Sequence, residues 1–413
     1  MERKINRKKF LKASALTAGI LSIVGVFKLF KDDIFKAKKL PSKDLSNSIK
    51  KGVIQINKKK TSVSISAVEK SIEDAVKNAA LSATDFSWLK KGHTVFIKPV
   101  INSGNPYPAT THPLAIATMI KLLKIKGAKR VIVGDMSGIE HLKFFKNKTE
   151  GSTKELMKRS GIYKAIIDAG GEPYFFEEGG WDAFYIDQTE PIGLFKNGLM
   201  MPKILQEVDH IVLMPRCSRH VLAGASLGLK AVVGYWRTDS RLEYHYNGHQ
   251  LHERTAEGNR SKTLLDKQRL VISTGDKLLA TFGPDNGYVY SPNQGIIIAS
   301  ESVVAHDMVS LAWLLLNRKL LPEKNQNDFK DNSTGVAKGA NTFVVKMLSN
   351  WPKAFMSKPL LKNDLKSIWD DRTLNHSYKV FGGIPNIILK NVKNRGQKKN
   401  IKKLENMTQH PSA

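Results

Sequence analysis

A single cysteine, Cys217, stands in 413 residues. One thiol cannot close a disulfide within the chain, hold an iron–sulfur cluster or build a Cys-based zinc finger. Acidic residues are scarce too: 37 Asp and Glu face 66 Lys and Arg, a formal charge of +29. There is no G-x-G-x-x-G after a strand and no G-x-x-x-x-G-K-[ST], so the common nucleotide-binding signatures are missing. Gly224-Ala-Ser-Leu-Gly228 spells G-x-S-x-G, the letters of the hydrolase nucleophile elbow, but its small residues suit close packing instead. Long apolar runs are missing as well. The stretch Ala13–Phe30 is interrupted by Lys28 and is too short and small-residue-rich for a membrane span.

The positive charge that is present sits at the ends. Residues 1–60 hold 17 Lys/Arg against 4 Asp/Glu, and residues 390–413 hold 7 against 1. A core that binds nucleic acid would carry a basic face with interleaved aromatics, so no nucleic-acid partner is expected. Basic tails suit anionic lipid. Asn6-Arg7-Lys8-Lys9-Phe10-Leu11-Lys12 resembles the twin-arginine export motif, with Lys8 replacing the second Arg. Residues 1–30 thus read as an export signal or, for want of a clean A-x-A site, as a retained anchor at the membrane surface. The expected location is periplasmic or on the outer face of the cytoplasmic membrane. Residues 31–60 read as a basic linker, 61–320 as an α/β domain and 321–413 as an irregular basic extension.

Within the domain, strands alternate with helices, which predicts an α/β fold on a mainly parallel sheet. Helical spacing begins at Val68. Thr94–Lys98 is a strand stopped by Pro99. Thr110-Thr111-His112-Pro113 opens a helix, with either Thr as cap. Arg130–Asp135 is a buried strand, completing a βαβ unit that delivers Lys98 and Asp135 to one sheet edge. One helix fits residues 152–169, a strand 174–177, a loop 178–200 and a helix 202–209. Further strands fit 270–274 and 295–300, and a helix with His306-Asp307 in its first turn fits 303–316.

The chemistry concentrates in residues 211–252. An apolar strand, Ile211–Met214, ends at Pro215, and a cationic turn with Arg216, Arg219 and His220 follows. Strands that feed such turns are where open α/β sheets put their sites. Lys230 lies among Leu229, Ala231, Val232 and Val233, where desolvation would lower its pKa and raise its nucleophilicity. Lys98, Arg216 and Arg219 are candidates for holding a carboxylate, so a small anionic molecule is the expected ligand. Asp135 and Asp307 are candidates for orienting neighbouring His or Lys groups, or for capping their own elements. Cys217 reads as a nucleophile or as a small buried hydrophobe. His245, His249 and His252 have helical spacing, which allows a zinc site and a metallohydrolase, although Gly248 interrupts them.

The ordered motifs VFIKP (95–99), TTHP (110–113), KRVIVGD (129–135), IVLMPRCSRHVLAGASLGLKAVVG (211–234), TFGPDNG (281–287) and GIIIASESVVAHDMVS (295–310) resemble the domain of unknown function 362 family. Val100, Arg219 and Ala231 depart from its pattern. The resemblance implies a fold and no reaction. The order His112, His220, Lys230, His245 is also similar, more faintly, to that of the nickel-pincer lactate racemases. That likeness implies Lys230 as the covalent anchor of a nickel-pincer nucleotide and His245 as nickel ligand. His112 and His220 would be the proton-transfer pair. It points to an isomerase, racemase- or epimerase-like, acting on a small hydroxy acid. The residues alone also admit a non-catalytic anionic-ligand-binding protein at the membrane surface.

Overall fold

A computed structural model of the chain describes residue 45 and residues 54–326, 335–392 and 398–410. The expected signal or anchor, 1–30, and most of the basic linker lie outside the described residues. Among the described residues, no helix is long and apolar enough to cross a membrane.

The fold is α/β, built on an 11-stranded sheet. Its strands are β1 (Ile56–Ala67), β2 (Thr94–Lys98), β3 (Arg130–Asp135), β4 (Glu172–Phe175), β5 (His210–Leu213), β6 (Arg216–His220), β7 (Gly224–Ser226), β8 (Gln268–Leu279), β9 (Val289–Tyr290), β10 (Ile296–Ser300) and β11 (Ile384–Val392). The main order is β11-β1-β10-β8-β5-β2-β3-β4. The five strands from β8 to β4 run parallel, while β10 is antiparallel to β8 and β1. The central residues of β2, β3, β5 and β8 are buried on both sheet faces and mostly apolar, because both faces are covered. Val95 and Ile97 enter one core and Phe96 the opposite one; Val131, Val133 and Ile132 divide the same way.

The chain lays β3 and β4 to one side of β2, then returns to place β5 on the other side. This reversal opens a crevice beyond the carboxyl ends of β2 and β5, the usual ligand position in open α/β sheets. Thr111, expected as a possible helix cap, instead ties that crevice together. Its hydroxyl donates to Met214 O at 2.6 Å and accepts from Val100 N at 2.8 Å. His112 takes over as the cap of helix Pro113–Ile125, its Nδ1 accepting from Leu114 N at 3.2 Å.

Several expectations are corrected. The cationic turn after Pro215 is a strand, β6, paired with β7 and β8. Both of its arginines are buried, Arg216 with backbone and hydroxyl partners, which hides the strand from a hydrophobicity pattern. The helix over 152–169 is two helices, Thr153–Arg159 and Ile162–Asp168, parted at Gly161 with φ of 80°. The loop 178–200 contains strand Phe184–Asp187, paired with Leu199–Pro202. The expected helix 202–209 is only Ile204–Glu207. Strand β1 begins at Ile56, inside the expected linker.

The region after 320 is not irregular. It carries helices Gly335–Leu348, Trp351–Phe355, Arg372–Val380 and Lys398–Thr408, and its strand β11 pairs in parallel with β1. Leu374, Tyr378, Ile401 and Leu404 join the core formed by helix Val303–Arg318. Leu404→Ala should therefore cost about 2–5 kcal/mol, as for a Leu deep in any core. The measurement is the urea midpoint of the whole chain followed by far-UV circular dichroism. An unchanged midpoint would mean that the last helix is not part of the cooperative fold.

Candidate active site

A cavity of about 60 Å³ occupies the crevice. Water needs roughly 10–15 Å³ on this measure, so there is room for about four or five waters or one small organic acid. Lys98, Asp135, Arg216, His220, Ser226, Lys230 and Arg241 line it, with Asn102 at one side.

Lys98 ends β2 and is fully buried. Its amine pairs with Asp135 Oδ1 at 2.8 Å and donates to Pro99 O at 2.7 Å. Asp135, at the end of β3, also accepts from Ile101 N at 2.7 Å and Met136 N at 2.8 Å. Burial lowers the Lys98 pKa, and the Asp135 carboxylate opposes that shift. Gly234 passes directly over this pair. A Cβ there would lie 2.5 Å from both Asp135 Oδ1 and Lys98 Nζ, so the close approach requires glycine.

Arg216 and His220 share one face of β6, since side chains on a strand alternate. Arg216 donates to Ala109 O, to Pro284 O at 2.7 Å and, through Nε, to Ser226 Oγ at 3.2 Å. Its pKa is pushed down to about 10 by burial, against the pull of Asp285 and Asp135. His220 Nδ1 accepts from Leu222 N at 3.1 Å and Ala223 N at 3.3 Å. Two donors at Nδ1 put the ring proton on Nε2. Burial, then the charges of Lys230 and Arg216, hold the His220 pKa well below its ordinary value, so the ring is neutral.

Lys230 lies on the short helix Gly228–Ala231. Asp307 fixes this turn by accepting from Gly228 N at 2.8 Å and Leu229 N at 2.7 Å. Asp307 is itself held by His306 Nδ1 at 2.8 Å, and His306 Nε2 meets Ser273 Oγ at 2.9 Å. This Ser–His–Asp series is buried throughout and serves as a brace. The Lys230 amine lies 5.6 Å from the Tyr244 ring centroid, and among the described residues no carboxylate pairs with it. Burial, then the charges of Arg216, Arg241 and Lys98, lower its pKa to about 7.

The other expected residues lie elsewhere. Arg219 is fully buried on the opposite face of β6 and does not line the cavity. Its pKa falls to about 9 through burial and Arg318, with Asp371 opposing. His112 caps its helix, with its ring 4.6 Å from that of Tyr107, and is not among the lining residues. His245 is buried, and its Nδ1 lies 2.9 Å from Asn341 Oδ1. Asn341 also donates to His245 O at 3.0 Å. An Nδ1–H donated to Asn341 leaves the Nε2 lone pair for another group. His245 is close enough to Lys230 that the cation lowers its pKa, after burial, to about 3. His252 turns to Thr373 at 3.2 Å instead, so His245, His249 and His252 do not form a metal group among the described residues. Cys217 is buried, with its thiol 3.5 Å from Ser310 O and its pKa raised by burial, as suits a packing residue.

Two features escaped the sequence reading. Arg241 is a fourth cation at the cavity, donating to Val233 O at 3.1 Å, Ser137 O at 2.7 Å, Met136 O at 2.7 Å and Gly234 O at 3.1 Å. The helical stretch TDSRLEYHY gave it no distinction from a surface Arg. Glu140, His141 and Asp285 each offer one ligand atom within 4.8 Å of the others, an arrangement that could hold a divalent cation. Asp285 accepts from Asn102 Nδ2 at 2.8 Å, so this group adjoins the cavity. A cluster assembled from positions 140, 141 and 285 has no local sequence signal.

The Lys230 amine should react with acetic anhydride half-maximally near pH 7, because the neutral fraction grows as pH rises through the pKa. Surface lysines should need pH above about 10. Peptide mapping by mass spectrometry reads both, and a half-point for Lys230 among the surface lysines would refute the desolvated amine.

No curated protein matches the chain. Among solved structures, the lactate racemase apoprotein from Thermoanaerobacterium thermosaccharolyticum aligns at 13% identity and a TM-score of 0.34. That alignment covers 58% of this chain and 54% of the other, so only about half of the racemase's length is matched. A family model described as "Domain of unknown function (DUF362)" matches residues 95–312, which take in the five parallel strands, the cavity and Asp307. The chain belongs to the DUF362 family.

Proposed function

We propose that the cavity binds a small carboxylate, of hydroxy-acid or sugar-acid size, and that the protein is an isomerase-like enzyme moving a proton at the adjacent carbon. One observation carries this reading. Four cations, Lys98, Arg216, Lys230 and Arg241, line the cavity against a single carboxylate, Asp135. Buried charge of one sign is costly until an anion neutralises it.

The residues divide the work as follows. Lys98 and the unused Nη2 of Arg216 hold the carboxylate. The Lys230 amine, neutral in part near pH 7, takes the proton from the neighbouring carbon. The electron pair moves into the carboxylate, and the added negative charge meets the surrounding cations. The His220 Nε2–H donates a hydrogen bond to that oxygen without giving up its proton, as a neutral imidazole does. The Lys230 ammonium then returns the proton or exchanges it with water; the carbon is inverted when the planar intermediate turns in the cavity before it is reprotonated.

The two donors that a nickel-pincer nucleotide would need, an anchoring amine and an imidazole lone pair, exist in Lys230 and His245. No step is assigned to such a cofactor. We also propose export, resting on the order of basic and apolar residues in 1–30.

In deuterium oxide, a panel of 2-hydroxy acids and sugar acids should lose the proton beside the carboxylate, read by NMR. Lys230→Met should slow exchange about 10²–10⁴-fold and His220→Ala about 10²–10³-fold. Binding without exchange, by calorimetry, would leave a non-catalytic anion binder. An intact mass increment on Lys230 with stoichiometric nickel, in protein from the native host, would reinstate the pincer and overturn the single-base scheme.

A further inference from the structure

A second surface is built for a different kind of contact. In helix Gly335–Leu348, Ala337, Asn341, Val345 and Leu348 face inward. Val336 and Phe343 are left outside, 53% and 45% exposed. The next helix, Trp351–Phe355, buries only Ala354. Trp351 is 50% exposed, Phe355 75% and Met356 65%. The Trp351 and Phe355 rings stack at 5.1 Å, and Lys346 Nζ lies 3.7 Å from the Trp351 centroid. Large apolar side chains thus form the outer face of two consecutive helices.

Positive charge predominates in this segment. Residues 335–364 contain five lysines, Lys338, Lys346, Lys353, Lys358 and Lys362, against one acid, Asp364, which lies 3.7 Å from Lys362. Lys353 and Lys358 are exposed beside the aromatic pair. A protein partner would be met by apolar contact with a mixed polar rim. Exposed Trp and Phe beside an excess of lysines match the interface of a bilayer with anionic headgroups, where rings sit at headgroup level and lysine stems reach outward. The patch is firmly mounted. Lys358 N donates to Tyr246 O at 2.8 Å, and Asn341 holds His245, so it shares its supports with the segment beside the cavity.

We infer that Val336, Phe343, Trp351, Phe355 and Met356, with the lysines around them, form a docking surface for an anionic membrane. It is separate from residues 1–30 and independent of the reaction proposed above. The full-length protein should co-sediment with vesicles of phosphatidylcholine containing about 30% phosphatidylglycerol, less well at high salt, and poorly with phosphatidylcholine alone. Trp351→Glu with Phe355→Glu should weaken that binding at least about ten-fold while leaving circular dichroism and anion binding at the cavity unchanged. The blue shift of tryptophan emission on adding vesicles should shrink in Trp351→Phe. Equal vesicle binding by the double variant would assign all membrane affinity to other segments and overturn the inference. So would a shift from dimer to monomer on making the variant, with no vesicle binding by either form, because the patch would then be covered by a second copy.

Discussion

The structure turns on uncompensated positive charge at the carboxyl edge of the sheet. Asp135 is the only carboxylate lining the cavity, and its two oxygens already serve Lys98, Ile101 N and Met136 N. It can neutralise one neighbour and no more. Arg241 manages without a carboxylate by giving its protons to four carbonyls, from Met136, Ser137, Val233 and Gly234. Those bonds hold the loop after β3 to the segment after Lys230. Breaking a buried pair such as Lys98–Asp135 leaves an unpaired charge, which costs about 3–5 kcal/mol. The same interactions that close the crevice therefore leave it with an excess of positive charge, the feature on which the proposed anion binding rests.

Lys230 is held by a series that begins in the sheet. Ser273 on β8 holds His306, His306 holds Asp307, and Asp307 accepts the amides of Gly228 and Leu229. Gly228 has no room for a side chain here, since a Cβ would lie 2.8 Å from Asp307 Oδ1. The backbone is thereby fixed while the amine keeps its freedom toward the cavity. On the other flank, Asn341 from the C-terminal region grips His245 at both ring and carbonyl. The site is a product of the whole chain, although its charged residues are concentrated between 98 and 241.

Much of this was legible. The parallel strands announced themselves as short β-rich runs stopped by Pro99 and Pro215. The βαβ order placed Lys98 and Asp135 together, and the structure pairs them at 2.8 Å. Lys230 stood out as a lone cation among apolar residues. What could not be read depended on pairing. RCSRH looks like a turn until its pairing with two other strands is seen, and only as a strand does period-two alternation send Arg216 and Arg219 to opposite faces. The C-terminal region is Lys-rich and reads as surface, because β11 is the last strand of the sheet and only partly buried. The supports that settle it, such as Tyr378 and Leu404 against helix Val303–Arg318, are distant in sequence.

The hydrogen bonds at His220 also decide how acid–base work is shared. A histidine that exchanges protons near neutrality needs one ring nitrogen ready to gain a proton. His220 offers its Nδ1 lone pair to two backbone amides, and protonation there would break both bonds. Nε2 already holds its proton, and the neighbouring cations oppose a second positive charge on the ring. His220 is therefore suited to donate a hydrogen bond and unsuited to act as a base. His112 spends its Nδ1 on its own helix and stands outside the cavity lining. Lys230, at about 7, is the cavity group poised to change protonation near neutral pH. The proposed exchange therefore uses one lysine base and one fixed imidazole donor rather than two histidines, a division argued from backbone geometry and crowded charge.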